Sequence, residues 1–180
     1  MPIRPATPAD IPAIAAIYDE AVRTGTASFE LTPPGVAEMA RRHAALVDGG
    51  YPYLVLEEEG AILGYAYAGA FRPRIAYRHT VENSIYVAPA AQGRGIGRAL
   101  LEALVEACAA RGFRQMVAVI GDSANAGSIA LHAACGFAHV GVLAATGLKC
   151  GRWIDTVLMQ RALGSGAAGA PEEADLGFSG

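Results

Sequence analysis

The segment Gln92-Gly93-Arg94-Gly95-Ile96-Gly97-Arg98 sets three glycines and two arginines directly ahead of a helix-forming run. Glycines let successive backbone N–H groups turn toward one point without a Cβ in the way. The free N–H groups and the positive dipole at the helix start then favour an anion, above all a phosphate or diphosphate. Arg94 and Arg98 can add charge-assisted hydrogen bonds. A P-loop is excluded because no Gly-Lys-Ser/Thr follows. The dinucleotide fingerprint G-x-G-x-x-G is weakened rather than excluded: the spacing here is G-x-G-x-G in mid-chain, although Asp122 does follow the next strand. Coenzyme A is the remaining ligand of this kind.

A second constellation is Arg72 and Arg74, two residues apart in a loop after a strand-like run. Such a pair suits bidentate capture of a carboxylate, and both reach one ligand if the chain stays extended. A solvated basic loop is the alternative. His132 lies in a short apolar helical run; its imidazole can exchange a proton near neutral pH or be a hydrogen-bonded structural group. The residues alone leave both open. Asn125, just before Ala126, fits a helix N-cap.

The elements that would position these residues follow from periodicity. Ile3 to Ala6 reads as a short strand, and Thr7-Pro8-Ala9-Asp10 as a helix start. Ile11, Ile14, Ala15, Tyr18 and Val22 recur at helical spacing up to Gly25. A second helix opens near Thr32-Pro33-Pro34 and ends before Gly49-Gly50. Tyr53 to Glu58 and Ile62 to Phe71 predict two strands joined at Glu59-Gly60, and Thr80 to Val87 a third. Gly95 to Ala110 predicts a long helix, Met116 to Ile120 a strand buried on both faces, and Ser128 to Cys135 a short helix. Strands near Ala138 to Leu143 and Ile154 to Arg161 close the sheet. From Gly164 the chain turns to Gly, Ser, Ala and acids, which predicts a domain over 1–163 and a flexible tail over 164–180.

Composition narrows the class. The 180 residues are 53% apolar and 17% charged, enough for one domain with a sizeable core. A net charge of −3 gives no overall basic face for nucleic acid, though a local patch remains open. No apolar run approaches the roughly 18 residues of a membrane span, and the start lacks the apolar stretch of a secretory signal. Three widely spaced cysteines (Cys108, Cys135 and Cys150) without a C-x-x-C pair argue against a disulfide framework or a metal site. A reducing cytoplasm fits best.

Gln92-x-x-Gly95-x-Gly97 resembles the Q/R-x-x-G-x-G/A signature of the GNAT superfamily of acetyl-CoA-dependent N-acetyltransferases, over roughly residues 1 to 163. Further segments resemble its phosphinothricin and methionine sulfoximine acetyltransferase branch: Thr26-x-Ser28-Phe29-Glu30, Phe71-Arg72-x-Arg74-x-Ala76-Tyr77, Val81-Glu82-x-Ser84-Ile85-Tyr86-Val87, Val117-Ala118-Val119-Ile120-Gly121, Leu131-His132-x-Ala134-x-Gly136-Phe137 and Gly147-x-Lys149-x-Gly151-x-Trp153-x-Asp155. Six matches in the right order are specific. The resemblance implies an α/β GNAT fold, a mixed and mostly antiparallel central sheet of about six to seven strands flanked by about four helices.

It also implies roles. Ile85, Tyr86 and Val87 pair with the pantetheine arm of acetyl-CoA, the turn from Gly93 through Arg94, Gly95, Ile96 and Gly97 to Arg98 holds the diphosphate, and Asn125 and Ser128 contact the arm. Glu82 is the base and His132 the acid toward the thiolate, where the wider superfamily often has tyrosine. Phe29, Glu30, Arg72, Arg74, Tyr77 and Asn83 surround the acceptor, an amino acid analogue of methionine sulfoximine, methionine sulfone or phosphinothricin type. Lys149 and Trp153 help close the site or form a homodimer contact. No metal, nucleic acid or membrane enters. Acetylation of a protein N-terminus or polyamine, and non-catalytic acyl-CoA binding, stay open alternatives.

Overall fold

A computed structural model of the chain describes residues 2–171. In order the elements are β1 (Ile3–Pro5), α1 (Ile11–Thr24), α2 (Gly35–Asp48), β2 (Tyr53–Glu58), β3 (Ala61–Ala70), β4 (Thr80–Val87), α3 (Ile96–Ala110), β5 (Gln115–Gly121), α4 (Ala126–Ala134), β6 (Ala138–Lys149) and β7 (Arg152–Ala162). Single 3-10 turns at Pro8–Asp10, Ile75–Tyr77 and Pro89–Ala91 lead into α1, β4 and the glycine turn. The seven strands form one sheet in the order β1-β2-β3-β4-β5-β7-β6. Only β4 and β5 run parallel; the other neighbours are antiparallel. This is the expected mixed α/β architecture.

Period-two alternation divides the strands between two cores. Leu54, Leu56, Ala66 and Ala68 face α3, where Ile96, Leu100, Leu101, Leu104 and Cys108 are all essentially buried. Tyr53, Val55 and Tyr65 point the other way, onto Ile11, Ile14, Tyr18 and Val22 of α1 and Met39 of α2. The helical spacing that predicted α1 and α3 is therefore the spacing of the residues they bury. Each fully buried leucine contributes roughly 1.5–3 kcal/mol by leaving water. The helices thus hold both faces of β2, β3 and β4 rigidly, which fixes the strands that carry the site.

Two stretches differ from their expected form. β6 runs to Lys149 instead of ending near Leu143, with register shifts between His139 and Gly141 and between Leu143 and Gly147. Ala144-Ala145-Thr146-Gly147 shows no apolar alternation, and Ala145 takes φ 53° where the strand bulges. Pairing with β7 through a tight turn at Cys150 and Gly151 (φ 51° and 71°) extends the strand where local propensity does not. Just past β7, inside the expected tail, Gly166 N–H donates to Leu163 O (2.8 Å) and Ala168 N–H to Ser165 O (3.0 Å). Arg114 adds hydrogen bonds to the Ser165 hydroxyl and to Gly166 O. The rest of that segment, 172–180, lies outside the described residues.

Candidate active site

β4 and β5 are paired from Thr80↔Gln115 to Asn83↔Ala118, and there the ladder stops, although β4 continues to Val87 and β5 to Gly121. β3 stays paired with β4 as far as Gly64↔Val87. From Ser84 to Val87, then, one edge of β4 faces a gap instead of a strand. Backbone N–H and C=O groups need partners, so an extended ligand can add itself there as a strand. The gap is a cleft of about 50 Å³ lined by Asn83 to Tyr86, Ala118 to Gly121, Ala27, Asn125, Ser128 and His132.

This cleft shares Ala27, Ile85, Tyr86, Asn125 and Ser128 with a larger cavity of about 470 Å³. Of the residues assigned to the cofactor from sequence, Ile85, Tyr86, Val87, Gly93, Gly95, Ile96, Gly97, Asn125 and Ser128 line it together. Gly95 is the N-cap of α3 with φ 79°, and Gly93 has φ 75°. Nothing lies within 4 Å of a Cβ built on either, so backbone conformation rather than space selects glycine. Asn125 also serves its structural role: its side-chain oxygen accepts from Ser128 N–H at 3.2 Å. The opposite wall comes from Ile17, Glu20, Ala21 and Thr24 of α1, of which Ile17 belongs to the core and the other three lie off the buried stripe that defines that helix in the sequence.

Arg94 and Arg98 flank the turn, each paired with an acid. Arg94 donates to Glu58 (2.6 Å) and Arg98 to Glu102 (2.8 Å), and neither side chain lines the cavity. The turn itself presents backbone amides and the start of α3, a setting that favours an anion, with the arginine side chains beside it engaged by neighbouring acids.

On the other sheet face, Val81 and Asn83 point toward α3 and α4, so Glu82 points with Tyr86 toward α1 and α2. Glu82 is half-buried. Burial raises its pKa above the ordinary carboxylate value, and the charge of Arg72 acts against that rise. The Phe71–Arg74 segment bends instead of staying extended, so Arg72 and Arg74 do not share a strand face. Arg72 stacks on Phe71 (5.2 Å), and Tyr77 meets the same ring edge-on at 5.9 Å. Among the described residues neither arginine is in a salt bridge, which leaves both guanidinium groups able to receive an anion.

Glu30 and Asn83 each carry hydrogen bonds within the fold. Glu30 accepts from Tyr18 Oη (2.8 Å) and Arg42 (2.5 Å). Burial works against its charge, but those two donors outweigh it and hold the pKa below the ordinary value. Its charge is balanced by Arg42 where the loop after α1 meets α2. Asn83 is buried and bonded to Val117 and His132, on the side of the sheet opposite Glu82. Phe29 is exposed, and its ring lies over Gly147, where a Cβ would collide with it. Lys149, buried, donates to Ser28 O at 2.7 Å, and Asp122 accepts from Thr26 Oγ1, Ala124 N and Arg152. Both therefore brace the loop after α1, and Asp122 is spent on that task rather than on a ribose. Trp153 is 64% exposed and touches no part of the cleft.

Comparison with known proteins agrees with this geometry. Residues 14–137 match the Acetyltransferase (GNAT) family. The chain belongs to this family. It is 56% identical over 163 residues to the phosphinothricin N-acetyltransferase of Alcaligenes faecalis, covering 91% of this chain and 83% of that one. It is 44% identical over 159 residues to an L-methionine sulfoximine/L-methionine sulfone acetyltransferase of Pseudomonas paraeruginosa, covering 88% and 92%. The crystal structure of a phosphinothricin acetyltransferase from Sinorhizobium meliloti in complex with AcCoA superposes with a TM-score of 0.93 at 55% identity, covering 96% and 94%. As a GNAT acetyltransferase, the chain uses acetyl-CoA as its acetyl donor.

Proposed function

We propose that this acetyltransferase moves the acetyl group of acetyl-CoA to the α-amino group of a small amino acid with a tetrahedral polar side chain, of the phosphinothricin, methionine sulfoximine or methionine sulfone type. The observation that carries the reading is the fork. Ile85 to Val87 border a cofactor-sized cavity, Ser84 borders the small cleft that adjoins it, and Glu82, under the charge of Arg72, stands just before them on the same strand.

The chemistry follows residue by residue. Backbone amides of the glycine turn hold the diphosphate. The open edge of β4 aligns the pantetheine arm and turns N–H groups toward the thioester carbonyl, stabilising negative charge as it develops. Arg72, with Arg74 and Tyr77 around it, receives the acceptor carboxylate, and Phe29 walls the side chain. Glu82, with its raised affinity for a proton, takes one from the ammonium directly or through a water. The neutral amine attacks the thioester carbonyl, the C–S bond breaks as the intermediate collapses, and the second proton that the new amide nitrogen sheds passes by way of His132 to the departing thiolate. Holding both reactants in line contributes much of the rate.

The same reading includes a homodimer in the cytoplasm. Val140, Val142, Leu148 and Trp153 expose apolar surface on the β6–β7 hairpin, which favours a second copy as cover. Cys108, Cys135 and Cys150 are all free thiols, as a reducing compartment keeps them. A thiol-release assay tests the activity. Release of coenzyme A with these acceptors, and little with polyamines or N-terminal peptides, is expected. Binding of acetyl-CoA without turnover on any of the three amino acids rejects the substrate class.

A further inference from the structure

One buried side chain touches everything that meets where β4 and β5 part. Asn83 is the last residue of β4 with a partner on β5. Its Nδ2 donates to Val117 O on β5 at 3.2 Å, and its Oδ1 faces His132 Nε2 on α4 at 3.0 Å. A carbonyl oxygen only accepts, so Val117 fixes which end of the amide faces which way. The oxygen must then face the imidazole, which calls for a hydrogen on Nε2. The other ring nitrogen, Nδ1, lies 2.8 Å from Ser128 O, a second oxygen that only accepts.

A neutral imidazole carries one N–H, so it cannot satisfy both oxygens. The Asn83 amide and the Ser128 carbonyl compete for that hydrogen, while the Ser128 hydroxyl, 3.4 Å from Nδ1, can donate to that nitrogen and so favours the hydrogen on Nε2. Burial opposes a second proton on the ring and lowers the His132 pKa, with the Ser128 carbonyl pulling it back up. Phe137 packs edge-on against the ring at 5.1 Å, so the ring has little freedom to turn away. Asn83 therefore biases where the His132 hydrogen sits, and its amide braces the strands at the point where they separate.

We propose that Asn83 is a positioning residue of the acetyl-transfer site: through Val117 it pins the root of the β4–β5 fork, and through His132 Nε2 it orients the imidazole and its hydrogen at the head of the cleft. This rests on the acetyl-transfer reading for its kinetic half, while its spectroscopic half stands apart from activity. Asn83→Ala removes both contacts, and Asn83→Asp keeps an acceptor for Nε2–H but loses the donor to Val117.

The test is the ring ¹⁵N spectrum of His132 together with steady-state kinetics on the full chain. In the parent protein Nε2 is expected to carry hydrogen. In Asn83→Ala the hydrogen moves toward Nδ1 and Ser128 O, and kcat falls about tenfold or more, the scale of one buried polar contact left unpaired. KM for acetyl-CoA stays within about twofold, because the glycine turn is untouched. Asn83→Asp keeps Nε2 protonated and recovers part of kcat. Unchanged ring signals in Asn83→Ala, or an unchanged kcat in a protein that turns over, overturns the proposal. Should Asn83→Ala fail to fold, loss of Nε2–H in Asn83→Asp overturns it equally. A parent protein that releases no thiol but shows the tautomer shift instead rejects the function and leaves the hydrogen-bond assignment standing.

Discussion

Burial raises the Glu82 carboxyl above its ordinary value, and the Arg72 charge draws it partway back. Because the folded state binds this proton more tightly than the unfolded one, its contribution to stability is complete below the unfolded pKa. That contribution is lost as pH rises through the folded pKa, so the ionised form is a cost at neutral pH. Glu82→Gln is therefore expected to raise the thermal midpoint at neutral pH while lowering kcat about 10²- to 10⁴-fold. A calorimetric scan beside an initial-rate assay checks both signs. Activity in the parent should climb with pH through a value above the usual carboxylate range, since the base must be ionised. Arg72→Ala removes the charge that favours ionisation, so that limb should move to higher pH, and KM for the acceptor should rise roughly tenfold or more with KM for acetyl-CoA unchanged. At this scale sequence legibility was uneven. The place of Glu82 on β4 was readable from its segment, but the pairing of Glu30 with Arg42 and Tyr18 was not, because residues 12 positions apart meet only once α1, α2 and their loop have packed.

The glycine turn and the fork belong to elements rather than residues. Gly95 takes φ 79° as the N-cap of α3, a conformation that costs an L side chain about 1–2 kcal/mol. Gly95→Ala should relieve that strain by rotating the turn, and the backbone amides would then no longer converge. The expected outcome is a KM for acetyl-CoA raised severalfold with little change in acceptor KM, measured by varying each substrate in turn. The strands and helices were legible because each buries residues at its own period, as Ile96, Leu100, Leu101 and Leu104 do. The far half of β6 was not, since Ala144 to Lys149 become strand only by pairing with β7. The end of the β4–β5 ladder at Asn83 was likewise hidden. Pairing partners are set by packing, and nothing in Val81-Glu82-Asn83-Ser84 marks where a neighbour departs.

At the scale of the whole molecule, the helices cover both faces of β2 to β4, whereas the β6–β7 end of the sheet keeps an apolar surface open. Trp153→Lys is expected to shift a dimer to monomer in sedimentation at micromolar concentration without lowering the thermal midpoint of the monomer, because the side chain it replaces is already exposed. The loop after α1 is braced from this same end, by Lys149 and by the space over Gly147, so that loop and the far edge of the sheet are linked within one chain. The central claim concerns the opposite side of that loop. A crystal structure with acetyl-CoA measures it directly: the diphosphate should sit on the amides of residues 93–97, with the pantetheine amides paired to β4 between Ser84 and Val87 and the thioester next to the end of the β4–β5 ladder. A diphosphate bound away from that turn, or β4 and β5 zipped together beyond Asn83 with the ligand lying outside them, would contradict the account.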